Sequence, residues 1–462
     1  MAKKYFIETV GCQMNVHDSE RMAGLLDQAG YEATTTDADA DVIVINTCSV
    51  RERAEEKLYT RLGELRVLQD ETGRNPIVAV AGCVAQQEGD ALLANTNGRV
   101  IDLVIGTQRL RMLPTLVEAA SRSPFAAVDI SPWDDVTFPL GMTRRTDPVK
   151  AYVTIIEGCN DHCAFCVVPH TRGHERMRRK ADILDDVRDA VGSGRNEIHL
   201  LGQIVNHYSA PDDPSCDFAQ LLAEVDQIPG VERIRFASPH PRHTGARLIE
   251  AVRDLPHVCK HLHLPVQSGS SRILQAMRRR HTRGEYLDLA ARIRESIPGV
   301  TLSTDVIVGF PGETVADFDD TLSLTEVVQY HSMFSFKYSP RPNTLASKRM
   351  TDDVTPDEKT ARIMALQSLQ RAIQTRLHEA AIGTEAEVLV DSISRRRDGE
   401  VSGRTSGNTV VNIPMPSDTP GDTGAQWIGR VVRVRVTGAG PHSLWGQPVT
   451  AQSGAGQGDR SC

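Results

Sequence analysis

The 462-residue sequence predicts a multidomain α/β protein: an N-terminal parallel α/β sheet domain, a central partial (βα)6 barrel, and a small all-β, OB-like barrel at the C-terminal end. Three observations predict it. Short β-branched runs alternate with helical stretches through residues 1–125, and alternation implies a parallel sheet with helices on its faces. A second alternation starts at 151, and five of its six strand-length runs end in Gly- or Pro-rich turns. After Gly383 the texture changes to short strands split by Gly, Ser and Pro.

Taken in order, 5–10, 42–45 and 77–81 are β-branched or aromatic-rich runs of strand length. Residues 19–29, closed by Gly30, read as a helix with a glycine stop, and 52–69 as a longer one. Residues 126–150, with Trp133, Pro139 and Pro148, are irregular and read as a linker. The barrel spans 151–380, with strands at 152–156, 197–201, 233–237, 261–264, 302–308 and 332–337. Its turns hold Gly158, Gly202, Pro239-His240-Pro241, Pro265 to Gly269, and Gly309 to Gly312. Thr355-Pro356-Asp357-Glu358 has capping-box form. It opens a helix whose Ile363, Leu366, Leu369, Ile373 and Leu377 form a core-facing stripe. The β-domain, 381–450, has strand runs at 387–390, 409–413 and 430–436, and 451–462 reads as a disordered tail ending in a free Cys462.

Composition excludes some classes. A 40% hydrophobic content suffices for buried cores, yet no apolar run reaches the ~18–20 residues of a membrane span. The start, Met1-Ala2-Lys3-Lys4-Tyr5, lacks the apolar stretch of a signal peptide. Nine scattered cysteines without a secretion signal point to a reducing cytoplasm and to metal in place of disulfides. A net charge of −8 does not mark a nucleic-acid binder, so basic patches are sought locally.

Cys159, Cys163 and Cys166 form Cys-x3-Cys-x2-Cys directly after the first barrel strand. In βα barrels the chemistry sits on the loops after the strands. Three thiolates from one loop can hold three irons of a 4Fe–4S cluster and leave the fourth iron open to a small molecule. A Cys3His zinc site using His162 or His170, or plain packing, are the other readings of this spacing. Cys12, Cys48 and Cys83 each follow a strand of the first domain. Parallel strands end on one edge, where α/β sheets bind ligands, so these three cysteines converge and read as a second cluster. Packing is the alternative, since cysteine is common in buried strands. Gly11 and Gly82, directly before two of them, let the backbone approach a bulky ligand.

The Cys159 loop resembles the signature of radical S-adenosylmethionine (radical SAM) enzymes, and residues 3–447 resemble the methylthiotransferase family, with its three-cysteine domain, radical SAM barrel and TRAM domain. Thr9 to Asn15 (Thr-Val-Gly-Cys-Gln-Met-Asn), with Asp18-Ser19-Glu20, is similar to the branch that makes 2-methylthio-N(6)-dimethylallyladenosine in tRNA. The branch acting on a ribosomal protein has Lys-Asn after that cysteine. Asn46 to Glu52, Phe165 to Gly173, His263 to Ser270 and Phe336 to Pro342 agree with the tRNA branch. Two residues depart from it: Ile204 stands where asparagine is usual, and His170 where tyrosine is usual.

The resemblance implies that S-adenosylmethionine binds the open iron of the Cys159 cluster and is cleaved to a 5′-deoxyadenosyl radical, which takes hydrogen from carbon 2 of the adenine. The second cluster then delivers a methylated sulfur. It also implies as partners the tRNA anticodon stem-loop, an electron donor such as a flavodoxin or ferredoxin, and a sulfur source, with the chain a monomer. Gln203, Ser238, Gln267 and Asp305 are candidates to hold S-adenosylmethionine, from their places near strand ends. Arg172, Arg176, Arg178 and Arg179, in a basic run with His174 and Lys180, are candidate RNA contacts beside the cysteine loop. Arg278-Arg279-Arg280 and Arg395-Arg396-Arg397 add two further clusters, although a charge run is commonly a solvated face. Acids and arginines balance across the β-domain, so RNA binding by it is implied by the TRAM resemblance. The competing functions are methylthiolation of another tRNA adenosine or of a ribosomal protein side chain, and an iron–sulfur RNA-binding sensor without turnover.

Overall fold

The computed structural model describes residues 2–49, 52–96, 100–132, 142–394, 397, 399–415 and 424–449. Its first sheet holds β1 (Lys4–Val10), β2 (Glu32–Ala33), β3 (Val42–Thr47), β4 (Ile77–Gly82), β5 (Leu103–Ile105) and β6 (Ala127–Asp129), all parallel, in the order β2-β1-β3-β4-β5-β6. Alternation along the strands divides the core between two faces. Ile43, Ile45, Val78 and Val80 meet Leu58, Leu62 and Leu65 of α2 (Glu52–Thr72). Val42, Val44, Ala79 and Ala81 meet Met22 and Leu26 of α1 (Gln13–Gln28) on the other side. Both faces are covered, which is why β3 and β4 read as near-continuous apolar runs. The helices α3 (Cys83–Glu88), α4 (Asp90–Asn95) and α5 (Leu113–Ala120) complete the layers.

Two expectations change here. The helix expected from Ser19 begins at Gln13, because Cys12 caps it and the Asn15 side chain closes a capping box on the Cys12 backbone. The segment read as a linker from 126 supplies β6, while Trp133 and Pro139 lie outside the described residues.

The barrel strands are β7 (Lys150–Thr154), β10 (Glu197–Leu201), β13 (Arg233–Phe236), β14 (His261–His263), β15 (Thr301–Val308) and β16 (Ser332–Lys337). They form two parallel three-stranded arcs, β13-β10-β7 and β14-β15-β16, with one bridge, Ile234 to Val258, between the runs. Two small antiparallel pairs fall within the first arc in chain order: β8 (Ile156–Glu157) with β9 (Arg176–Met177) between β7 and β10, and β11 (Ser209–Ala210) with β12 (Asp213–Asp217) between β10 and β13. The helices are α6 (Val168–Thr171), α7 (Lys180–Gly192), α8 (Phe218–Asp226), α9 (Ala246–Asp254), α10 (Ser271–Ala276), α11 (Arg283–Ser296), α12 (Val315–Val328), α13 (Leu345–Arg349) and α14 (Pro356–Glu379). Capping boxes start α11 at Thr282 and Glu285 and α12 at Thr314 and Asp317. The box expected at Thr355 and Glu358 starts α14. Leu366 and Ile373 of its stripe are fully buried.

The chain divides into two compact units, Met1–Leu369 and Gln370–Cys462. The second holds a closed barrel, β17-β18-β19-β21-β20, built from β17 (Glu385–Ile393), β18 (Glu400–Thr405), β19 (Val410–Pro414), β20 (Val431–Ala439) and β21 (Leu444–Pro448). Two of its strands, Glu-Val-Ser-Gly-Arg-Thr and Leu-Trp-Gly-Gln-Pro, carry no β-branched run and were not legible in the sequence. Val388, Val390, Val401, Val411, Val434 and Leu444 fill its interior. Arg395, Arg396 and Cys462 lie outside the described residues.

Candidate active site

Strand register assembles the first triad. Val10, Thr47 and Gly82 are aligned across β1, β3 and β4, so the next residues along, Gly11, Cys48 and Cys83, leave the sheet side by side, with Cys12 one step on. Cys48 N–H donates to Val10 O at 3.0 Å. Cys48 and Cys83 are buried and Cys12 half-buried. Hydrogen bonding of the Cys48 thiol with the other two sulfurs draws Cys12 and Cys83 toward thiolate and pushes Cys48 itself up. At Gly82, φ is +94° and a Cβ would stand 2.3 Å from Asn46 Oδ1, so the approach requires glycine.

A buried amide pair fixes this edge. Asn15 Oδ1 accepts from Cys12 N–H and lies 3.3 Å from the Cys12 sulfur. Asn15 Nδ2 donates to Asn46 Oδ1 at 3.1 Å, and Asn46 Nδ2 donates to Asn15 O and to Ser19 Oγ. Sequence reasoning read Asn15 and Asn46 as branch markers only. Their position within three residues of the cysteines was the available signal.

The second triad follows β8. Gly158 has φ +77°, and a Cβ there would meet His174 O at 2.0 Å. Cys159 N–H donates to Gly173 O, Ala164 N–H to Met277 O, and Ala346 N–H to Ala164 O, all near 3 Å. Ala164 packs with Ile273, Met277, Phe310, Tyr338 and Ala346. Burial pushes the Cys159 thiol up to about 11 and Cys166 to about 12. Arg279 Nη1 approaches Cys163 Sγ at 3.6 Å, and its Nη2 donates to Pro265 O. Of the Arg278-Arg279-Arg280 cluster, a further candidate RNA contact or a solvated face in the sequence, only Arg279 is buried, at 6% exposure; Arg278 and Arg280 are exposed and adopt the left-handed conformation.

The four basic-run candidates separate. Arg172 is buried and donates to Asp18 Oδ2 at 2.6 Å, and Arg178 is buried between Asp186 Oδ2 and Thr154 O. Both guanidiniums are held inside by carboxylates, so a phosphate does not reach them. Arg176 is half-buried 3.8 Å from Glu157, and Arg179 is exposed on Asp182. Of the β-domain arginines, Arg433 and Arg435 are exposed and share Glu385.

Gln203, Ser238 and Gln267 all sit on the loops after barrel strands, the end that bears the cysteine loop, and Asp305 lies within β15. Ser238 and Gln267 have φ of +60° and +73°, as does His162 of the cysteine loop at +44°. Such conformations in non-glycine residues concentrate at sites the surroundings over-determine. Gln267 exchanges backbone hydrogen bonds with Asp305 O and Ile307 N–H, and Asp305 lies 3.4 Å from His263 Nε2. Gln203 Oε1, His240 Nε2, His281 Nε2 and Arg279 Nε are buried there without a hydrogen-bond partner among the described residues. His240 Nε2 stands 3.6 Å from Asp161 Oδ2, and burial with cationic neighbours keeps His240 neutral. Sequence reasoning used Pro239-His240-Pro241 only as a turn, and a histidine at a strand end was its signal. Ile204 is buried. His170 lines a cavity of about 210 Å³ with Gln86, Gln108, Ile130, His174 and Arg176.

The donor chemistry suits clusters at both places: three thiols apiece, with buried Arg279 at the barrel set and buried Arg172 directly after α6, which packs on the α3 helix that begins at Cys83. Among the described residues no His, Cys, Asp or Glu group is gathered as around one ion; a cluster instead takes one thiolate per iron.

A parallel βα barrel with Cys-x3-Cys-x2-Cys after its first strand defines a radical SAM protein, and residues 153–325 match the radical SAM superfamily. Residues 4–106 match the uncharacterized protein family UPF0004 and residues 379–449 the TRAM domain. The chain belongs to the tRNA-2-methylthio-N(6)-dimethylallyladenosine synthase family. It is 44% identical to the protein of that name from Geotalea uraniireducens over 96% of this chain and 98% of that one. It is likewise 44% identical to that from Thiobacillus denitrificans, over 98% and 99%. Among solved structures it resembles the radical S-adenosylmethionine methyltransferase TsrM from Kitasatospora setae, with cobalamin and a [4Fe-4S] cluster bound (TM-score 0.55, 14% identity, 75% of this chain and 74% of that one). It also resembles apo OxsB, a cobalamin-dependent S-adenosylmethionine radical enzyme (TM-score 0.54, 12% identity, 82% and 67%). At these identities the likeness is of fold.

Proposed function

We propose that this chain methylthiolates carbon 2 of N(6)-isopentenyladenosine beside the tRNA anticodon, with Cys12, Cys48 and Cys83 holding one 4Fe–4S cluster and Cys159, Cys163 and Cys166 the other. The observation that carries this reading is the gathering of two separate cysteine triads at the ends of two parallel sheets, in a chain whose relatives are named for this product. The bound clusters and S-adenosylmethionine supply radical generation and sulfur transfer.

The chain's own residues position and shield. Gly158 and Gly82 let two loops approach closely, and Asn15 and Asn46 orient the Cys12 turn. Gln203, Ser238, Gln267 and Asp305 line the barrel end as binders of S-adenosylmethionine, joined by Arg279 and neutral His240. Arg176 and Arg179 remain the RNA contacts of the loop. A base in a single-stranded loop can splay out toward such a site. An electron donor such as a flavodoxin or ferredoxin and a sulfur source complete the reaction, by a monomer in the cytoplasm; among the described residues no helix is long and apolar enough to cross a membrane. Residues 1–125, 151–380 and 381–450 act as sulfur-donor, radical and RNA-binding domains.

The test compares Cys163→Ala with Cys48→Ala after anaerobic reconstitution, on tRNA already isopentenylated. Cys163→Ala is expected to make no 5′-deoxyadenosine. Cys48→Ala is expected to make it while forming no methylthio nucleoside by mass spectrometry. Methylthio product from Cys48→Ala at the parent rate would refute the reading. No 5′-deoxyadenosine from the parent would leave the non-catalytic sensor.

A further inference from the structure

Arg172 stands six residues past Cys166, on the loop of the barrel triad, yet its guanidinium lies against the N-terminal sheet domain. Its side chain is 7% exposed and pairs at 2.6 Å with Asp18, itself 3% exposed. Asp18 sits on α1, the helix that Cys12 caps. The carbonyls on either side of this insertion are clasped from the same domain: Thr107 Oγ1 donates to Thr171 O, and Gln108 Nε2 donates to Arg172 O. The next carbonyl, of Gly173, accepts from Cys159 N–H. A hydrogen-bonded path therefore runs from the first cysteine of one triad to the helix that begins at the other.

The same docking brings Arg172 to the N-terminal triad: α6, which ends one residue before it, packs on α3, the helix that begins at Cys83. Three thiolates on a 4Fe–4S core leave that site anionic, and one added electron makes it more so. Cluster potential follows net charge, hydrogen bonding and burial. A buried cation with one carboxylate is thus well placed to set it, because screening by water is weak there.

We propose that Arg172 is a positioning residue that the barrel's cysteine loop lends to the N-terminal site as the counter-charge of the cluster there, with Asp18 setting how much of that charge the cluster feels. The proposal rests on the second cluster of the proposed function.

The test uses the full chain with Cys159, Cys163 and Cys166 changed to alanine, so that iron binds only at Cys12, Cys48 and Cys83. Iron content and midpoint potential, by anaerobic redox titration with electron paramagnetic resonance, are compared with Arg172→Gln, Arg172→Lys and Asp18→Asn added in turn. Arg172→Gln leaves Asp18 unopposed and is expected to lower the potential by a tenfold shift in the one-electron equilibrium, about 59 mV. Asp18→Asn frees the cation and is expected to raise it, and Arg172→Lys to stay near the parent. If Arg172→Gln loses its iron, an upward shift in Asp18→Asn still supports the proposal. Shifts of the same sign, unchanged potentials, or loss of iron in both Arg172→Gln and Asp18→Asn would make the pair a scaffold and overturn it. No iron in the parent background would instead remove the second cluster, a failure of the proposed function itself.

Discussion

Arg172, Arg178 and Arg279 look alike in the sequence, each inside an arginine-rich run, and all three are buried beside carboxylates or sulfur. A run of cations has no periodicity that tells an inward from an outward side chain in a loop, so this placement was not legible. The glycines were more legible, because a glycine before a cysteine marks backbone that must approach closely. Gly158 carries the sharper consequence. Adding a Cβ forces a clash at 2.0 Å with His174 O at a φ of +77°. The strain is on the order of 1–3 kcal/mol and falls on the Cys159 turn. Gly158→Ala is expected to bind about half the parent's iron, the remainder at the N-terminal triad, and to make no 5′-deoxyadenosine. Full iron content by chemical assay would show that the loop relaxes around the methyl group.

Among the elements, β3 and β4 were legible because strands covered on both faces are near-continuous apolar runs. β18 and β21 were not, since closure of a barrel supplies partners that short polar strands lack locally. One ionic tie between barrel strands sets a pH dependence. Glu197 opens β10 at 1% exposure, 2.6 Å from His199 Nε2 and 3.1 Å from Arg235 Nε on β13. Burial opposes its charge, but the His199 hydrogen bond and the Arg235 cation outweigh that and hold the carboxyl well below the ordinary range. Because the folded pKa is depressed, its stabilisation is complete above the unfolded value of about 4.3 and is lost as pH falls below it. Glu197→Gln is expected to cost ~3–5 kcal/mol at pH 7, with a shallower fall in stability between about pH 5 and 2. Denaturant melts across that range are the check, and an unchanged acid slope would count against the tie.

At the scale of the molecule, each of the two compact units has its own apolar core, so they can be separated. A chain ended after Gly383 is expected to keep its iron and its 5′-deoxyadenosine formation with reductant. It is expected to bind tRNA at least about tenfold more weakly, ~1.4 kcal/mol, by filter binding. Undiminished affinity would place the RNA contacts in unit 1, around Arg176 and Arg179.

The sequence by itself determined the three-part architecture, the two cysteine triads and the family, because these rest on local spacing and on strand periodicity, which need no long-range information. Tertiary structure decided what lies between the triads. The register of β1, β3 and β4 brings Asn15 to Asn46 across 31 positions, and packing of the cysteine loop brings Arg172 to Asp18 across 154. Contacts at such separations depend on how elements dock, and a hydrogen bond between a loop and a distant helix leaves no periodic trace along the chain.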